Sequence, residues 1–301
     1  MNIAKSNGIE LAWDSFGDAA NEAILLISGL GTQMIRWTIP FCEDLAARGY
    51  RVIRFDNRDT GYSTHFSTSP TPDFGTLAAE LMAGRRPDVP YSLSDMAKDA
   101  VGLLDALGIA RAHVVGRSMG GMIAQILASD HTDRVLSLTS IMSSTGNPAL
   151  PQAASDVMAM MMRPAPDPAI DQEGFLAVRL AFARRIAGMG YPFDEDAHRA
   201  LLLEEVQRDH NPGGVARQIA GMAVAGDRRS RLATITVPTL VIHGTDDPLI
   251  LPACGRDTSL SIPGAIYLPI KGMGHDMPRE LDPTIIDAIF GLTEKRKLRE
   301  A

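Results

Sequence analysis

The sequence predicts an α/β fold: a mostly parallel central sheet with helices on both faces and a helical cap inserted over the sheet edge. Three observations predict it. Short apolar runs alternate with stretches of helix length, a rhythm that implies strands joined by right-handed crossovers. One serine sits in a glycine-flanked corner, Gly116-Arg117-Ser118-Met119-Gly120, between a strand pattern and a helix pattern. The alternation then stops between residues 144 and 231 and resumes afterwards.

Composition sets the outer bounds. A chain of 301 residues, 45% apolar and 22% charged, has room for one large soluble α/β domain with an insertion or for two modest domains. A net charge of −7 argues against nucleic acid as a partner, because phosphate binding needs a basic surface. Cys42 and Cys254 are far apart and lack any metal-ligand pattern, so they read as small buried residues. Residues 1–7 have no apolar signal core, and no run approaches the ~18 apolar residues of a membrane span, so a cytoplasmic location is expected.

In chain order, residues 8–16 alternate apolar and polar side chains like a half-exposed first strand. Ala23–Ile27 is continuously apolar, as expected of a strand covered on both faces, and ends in the glycine-rich loop Ser28-Gly29-Leu30-Gly31-Thr32. Residues 41–48 read as a short helix stopped by Gly49, and Arg51–Phe55 as the next strand. The loop beyond it, Asp56 to Ser63, carries charges of both signs, and its aspartates and arginine are expected to hold the turn. Residues 64–92, rich in Pro, Thr, Ser and Gly, predict an irregular excursion. Ser94 and Asp95 then open an amphipathic helix to Leu107, with Met96, Val101, Leu104 and Leu107 on one face and Gly108 closing it.

The strand at 112–115 drives straight into a helix over 119–131, and 135–142 is a further strand. Residues 144–231 then show helix patterns at 153–162, 173–189, 196–208 and 215–225 and no strand-like run. They read as a cap on a core made of residues 1–143 and 232–301. Its methionines (Met158, Met160, Met161, Met162, Met189 and Met222) suit core filling first, and a lid over an apolar ligand would use the same residues for adaptability. Strands at 239–243 and 265–270 end in Gly244-Thr245-Asp246-Asp247-Pro248 and Lys271-Gly272-Met273-Gly274-His275. A helix over 281–295 closes the chain, with the basic run Lys295-Arg296-Lys297 at its end, where it suits the helix dipole.

The chemistry is expected at the carboxyl ends of the strands, where ligands sit in such sheets. A sharp strand-to-helix corner strains the backbone at Ser118 and pushes its hydroxyl out of the sheet top, which Gly116 and Gly120 permit by carrying no side chain. The Met119 N–H, at the positive end of the helix, is a candidate oxyanion donor, and the Leu30 N–H is the second. A serine hydroxyl needs a base, and the base needs a third group to fix its tautomer. The chain supplies Ser118, then Asp246 or Asp247, then His275, in the order Ser…Asp…His. The other six histidines (His65, His113, His131, His198, His210 and His243) read as structural.

The GRSMGG corner, the DNRDTGYS loop, HGTDDPLI and GMGHDMP together resemble the serine α/β-hydrolases of the esterase and lipase type, across nearly the whole chain. Within that superfamily the chain is similar to the aclacinomycin methylesterase group and related bacterial carboxylesterases, chiefly through residues 54–63, 112–120 and 272–278. The resemblance implies an α/β-hydrolase fold, Ser118 as nucleophile, Asp247 as acid, His275 as base, and Leu30 and Met119 as oxyanion donors. Gly29, Arg117, Met158 and Met161 are candidates for substrate contact. One departure is Ser28-Gly29, where the family usually has His-Gly. A serine at the corner excludes the aspartate-dependent dehalogenases and epoxide hydrolases and the cysteine-dependent dienelactone hydrolases.

The expected activity is cleavage of carboxylic esters of small, largely apolar substrates through an acyl-enzyme, with no metal or organic cofactor. Lactone hydrolysis, carbon–carbon cleavage or perhydrolysis on the same residues are alternatives, and a hydrolase-like receptor is a reading of another class. The expected partner is a small-molecule ester, with neither nucleic acid nor membrane; monomer and homodimer both stay open.

Overall fold

The computed structural model describes the backbone of residues 1–300 and the side chains of residues 1–294. The side chains of Lys295, Arg296 and Lys297 thus lie outside the described residues. The core sheet contains β1 (Asn2–Ser6), β2 (Ile9–Phe16), β3 (Ala23–Ile27), β4 (Arg51–Phe55), β5 (Ala112–Arg117), β6 (Val135–Ile141), β7 (Thr239–Gly244) and β8 (Ile266–Ile270). Their spatial order is β1-β2-β4-β3-β5-β6-β7-β8. β2 runs antiparallel to β1 and β4, and from β4 to β8 every neighbouring pair is parallel.

Alternation along the central strands builds two cores. On β3, Leu25 and Ile27 join the cluster formed with α3 (Leu93–Ala106) and α4 (Met119–Asp130). Ile24 and Leu26 face the opposite cluster, with Phe41 and Leu45 of α1 (Ile39–Ala47) and Ile285, Ile286 and Ile289 of α11 (Asp282–Glu300). All five residues of β3 are buried, as its unbroken apolar run requires. In α4 every residue from Met119 to Ala128 is buried, so this helix shows no polar stripe. Helix ends follow local chemistry: Thr38 caps α1, and Gly49 after it takes φ 92°. The α3 helix starts earlier than Ser94, because Ser92 and Asp95 cap each other's backbone reciprocally.

Between β6 and β7 lie five helices: α5 (Ser155–Met162), α6 (Gln172–Ile186), α7 (Glu195–Arg208), α8 (Pro212–Ala223) and α9 (Arg229–Leu232). Phe175, Leu176 and Leu180 of α6 and Leu202 of α7 form a small separate core.

Four elements differ from the sequence expectation. β1 pairs with β2, although only Ala4 and Ser6 of it are buried. α2 (Phe74–Met82) lies inside the stretch expected to be irregular; Asp73 caps it and Leu77 is its buried residue. α9 is a single turn. α10 (Pro252–Ser261) buries Cys254, Gly255 and Thr258, small residues that give no apolar stripe. Among the described residues no helix is long and apolar enough to cross a membrane.

Candidate active site

The chain leaves β3 to form β4 on one side and returns to form β5 on the other. The loops after β3 and β5 therefore diverge at this switch point, which opens a crevice at the carboxyl edge of the sheet. Ser118 occupies the corner after β5 with φ 55° and ψ −124°, a left-handed conformation that costs a non-glycine residue about 1–3 kcal/mol. The surroundings hold it there. Its N–H donates to the Ile141 carbonyl at 2.9 Å, and the Ser143 hydroxyl donates to its carbonyl at 2.8 Å. A Cβ on Gly116 would collide with the Gly120 carbonyl, and one on Gly120 with the carbonyls of Ile27 and Ser28. Gly121 meets Ser143 in the same way, so α4 can lie this close to the strands only with glycine there.

His275 Nε2 is 3.0 Å from Ser118 Oγ, and its Nδ1 is 2.7 Å from Asp247 Oδ2. The His275 loop is shaped by Gly272, at φ 78°, and by Gly274, which fits against Gly188 and Ile186. The His275 N–H donates to the Ile186 carbonyl at 2.8 Å, so the C-terminal end of α6 holds the backbone that carries the imidazole. Asp247 is buried, and its Oδ1 accepts the N–H groups of Leu249 and Ile250, both at 2.9 Å. Asp246, by contrast, is exposed and accepts the Thr245 hydroxyl.

His243 is fully buried behind this carboxylate. Its Nε2 meets the Ile250 carbonyl at 2.7 Å and lies 3.5 Å from Asp247 Oδ2. Burial pushes the Asp247 carboxyl up, but His275 and His243 outweigh it and hold the group well below the usual carboxylate range. Sequence gave no sign of this second histidine beyond its place at a strand end.

The loop after β3 is a turn closed by the Thr32 N–H on the Gly29 carbonyl, with Gly31 at φ 60°. Gly29 lies against Ser118: a Cβ built on it would sit 3.3 Å from the Ser118 Cβ. Among the described residues neither the Leu30 nor the Met119 N–H is taken by another protein group. With Ser28 in place of histidine, support for the loop comes from elsewhere. Asn57 Nδ2 donates to the Ser28 carbonyl at 3.0 Å, and Gln218 of α8 accepts the Gly31 N–H at 2.8 Å. Gln218 in turn donates to the Arg58 carbonyl and the Thr60 hydroxyl, so α8 ties two core loops together. In the Asp56–Ser63 loop the aspartates hold the turn, Asp56 accepting the Tyr62 N–H and Asp59 the Phe66 N–H, whereas Arg58 pairs with Asp99 of α3. The loop also anchors helices from far along the chain. Asp56 pairs with Arg208 of α7 at 2.6 Å, and Asp59 pairs through both oxygens with Arg217 of α8 at 2.8 Å.

The remaining candidates scatter. Arg117 lies over the Trp37 ring, 5.3 Å from its centroid, with Nη1 3.5 Å from the Arg36 carbonyl. In α5, Val157 is the buried residue; Met161 is half-buried on its side of the helix, and Met158 is on the exposed face. A surface depression of about 550 Å³, lined by Asp105, Ile109, Arg111 and Arg134, lies where β5 and β6 begin, the end opposite Ser118. Among the described residues no serine, cysteine or histidine lines it.

A family model described as the alpha/beta hydrolase fold matches residues 22–277. The rhodomycin D methylesterase DauP of Streptomyces sp. strain C5 is 33% identical over 93% of this chain and 93% of its own. DnrP, the rhodomycin D methylesterase of Streptomyces peucetius, is 31% identical over the same shares. Among solved structures, the enol-lactonase of Burkholderia xenovorans LB400 superposes with a TM-score of 0.71 at 24% identity, covering 97% of this chain and 99% of that one.

Proposed function

This chain belongs to the α/β-hydrolase fold family and is a carboxylic-ester hydrolase, and from that premise we propose that it works through an acyl-enzyme on Ser118. His275 is the general base, Asp247 orients it, and the N–H groups of Leu30 and Met119 form the oxyanion hole. The continuous chain of hydrogen bonds from Ser118 through His275 to Asp247, 3.0 and 2.7 Å long, carries this reading. The leaving alcohol is small, a reading supported by the methylesterase relatives.

Each step follows from that geometry. Ser118 Oγ attacks the ester carbonyl carbon as its proton passes to His275 Nε2, and Asp247 stabilises the resulting imidazolium through Nδ1–H. The carbonyl oxygen becomes an oxyanion and accepts the two N–H groups, each of which contributes on the order of 10²–10³ in rate. Collapse breaks the bond to the alcohol, which leaves with the proton from Nε2. Water then gives a proton to Nε2 and attacks the acyl carbon; breakdown returns that proton to Ser118 Oγ and releases the carboxylic acid.

Residues 144–231 act as a cap in this reading, with a core of 1–143 and 232–301. The ion pairs Arg208–Asp56, Arg217–Asp59 and Arg36–Glu205 support it, since each joins a cap helix to the core near the carboxyl edge of the sheet. We place the enzyme in the cytoplasm, where the buried free thiols Cys42 and Cys254 stay reduced. With a p-nitrophenyl ester, a burst of about one equivalent followed by steady turnover is expected, and Ser118→Ala should remove both. One slow turnover followed by a stall would instead mark a ligand-binding protein.

A further inference from the structure

Arg117, the residue before the nucleophile, lies in the field of Arg36 and of Glu205, and Glu205 is paired with Arg36. Arg36 donates twice to Glu205, at 2.7 Å from both Nε and Nη2. Arg117, the residue before Ser118, lies over Trp37 and reaches the Arg36 carbonyl. Arg179 of α6 lies over the Phe175 ring, 5.6 Å from its centroid, and within the field of Arg36 and Glu205. Among the described residues neither Arg117 nor Arg179 forms an ion pair. The Trp37 indole, 1% exposed, adds an N–H with no acceptor in the same cluster. The sequence predicts largely apolar substrates, and this cluster of charges is where the structure departs from that expectation.

Burying a cation without a counter-charge is unfavourable unless a ligand supplies one. Burial pushes the Arg117 guanidinium down to about 9, Arg36 pushes it the same way, and Glu205 alone opposes them. Arg179 is lowered by burial and by Arg36 as well. Arg117 and Arg179 nevertheless keep partial solvent access, so a small ligand can reach them. A guanidinium presents a planar fork of donors that matches a carboxylate.

We propose that Arg117, Arg36 and Arg179 form an anion subsite, and that the esters this enzyme favours carry a carboxylate several bonds from the scissile carbonyl. This rests on the acyl-enzyme reading and narrows its substrate class to an apolar ester body with one anionic end. The carboxylate balances a charge that the protein leaves unmatched and fixes the ester relative to Ser118.

The test compares charged and neutral esters on one enzyme. One arm sets p-nitrophenyl hemiglutarate against p-nitrophenyl pentanoate, with the charge on the acyl side. The other sets 4-carboxyphenyl butyrate against 4-carbamoylphenyl butyrate, with the charge on the alcohol side. In at least one arm the kcat/KM ratio should exceed about tenfold for the anion, and Arg117→Met should bring it to within about threefold of one. Arg117→Lys should fall between. Losses common to both esters cancel in the ratio, so a damaged fold does not imitate the result. Wild-type ratios below about three in both arms, or a preference that survives both Arg117→Met and Arg179→Met, overturn the subsite. The burst on the neutral ester reports on Ser118 in every case.

Discussion

Asp246 and Asp247 are adjacent carboxylates with opposite surroundings, one in solvent and one buried against His275. Asp247→Asn keeps the shape but favours the wrong imidazole tautomer, so kcat should fall by up to ~10⁴. Asp246→Asn removes only a contact to Thr245 and should cost less than about tenfold. Steady-state kinetics of both variants on one ester, with folding checked by circular dichroism, decide between them; the reverse order of damage would make Asp246 the partner. Because His275 and His243 hold Asp247 ionised far below neutral pH, it adds no acid limb of its own. A limb of kcat/KM centred near 4, in the ordinary carboxylate range, would contradict this. Ser118, His275 and the Asp246–Asp247 pair were legible as candidates because each ends a strand in a glycine-bearing loop, while the choice of Asp247 came only from the resemblance. His243, Gln218 and the partners of Arg117 were not, since their roles come from contacts across the fold.

At the scale of elements, α8 is tied to the loop after β4 by a buried ion pair. Arg217 and Asp59 are 4% and 0% exposed, and the Tyr91 hydroxyl donates to the same carboxylate. Burial raises the Asp59 carboxyl, but hydrogen bonds from Arg217, Tyr91 and the Phe66 N–H bring it below its ordinary value. Asp59→Asn leaves Arg217 buried without a counter-charge and should destabilise the protein by about 3–5 kcal/mol. Urea unfolding measures it; a change under about 1 kcal/mol would mean the pair is solvated, as surface pairs are. The strands and helices that bury an apolar face were legible from their period. β1 was not, because an edge strand such as Asn2–Ser6 needs few apolar residues. α2 and α10 were missed for a related reason: Leu77 alone, or Cys254, Gly255 and Thr258, make no stripe.

Across the whole molecule, the strand order puts the ends of β3, β5, β7 and β8 on one edge, and each contributes one part of the site. Residues 157 positions apart in sequence thereby meet at 3.0 Å. That convergence was legible, since parallel strands deliver their following loops to a common edge. How α7 and α8 pack against the loops of that edge was not, because it depends on side-chain directions that periodicity leaves open. Whether Ser118 is the nucleophile is tested most directly by intact-protein mass spectrometry after treatment with a fluorophosphonate. The expected result is one adduct per chain, located on the peptide that contains Ser118, forming far more slowly in His275→Gln and not at all in Ser118→Ala. An adduct on another residue, or ester turnover undiminished in Ser118→Ala, would contradict the mechanism.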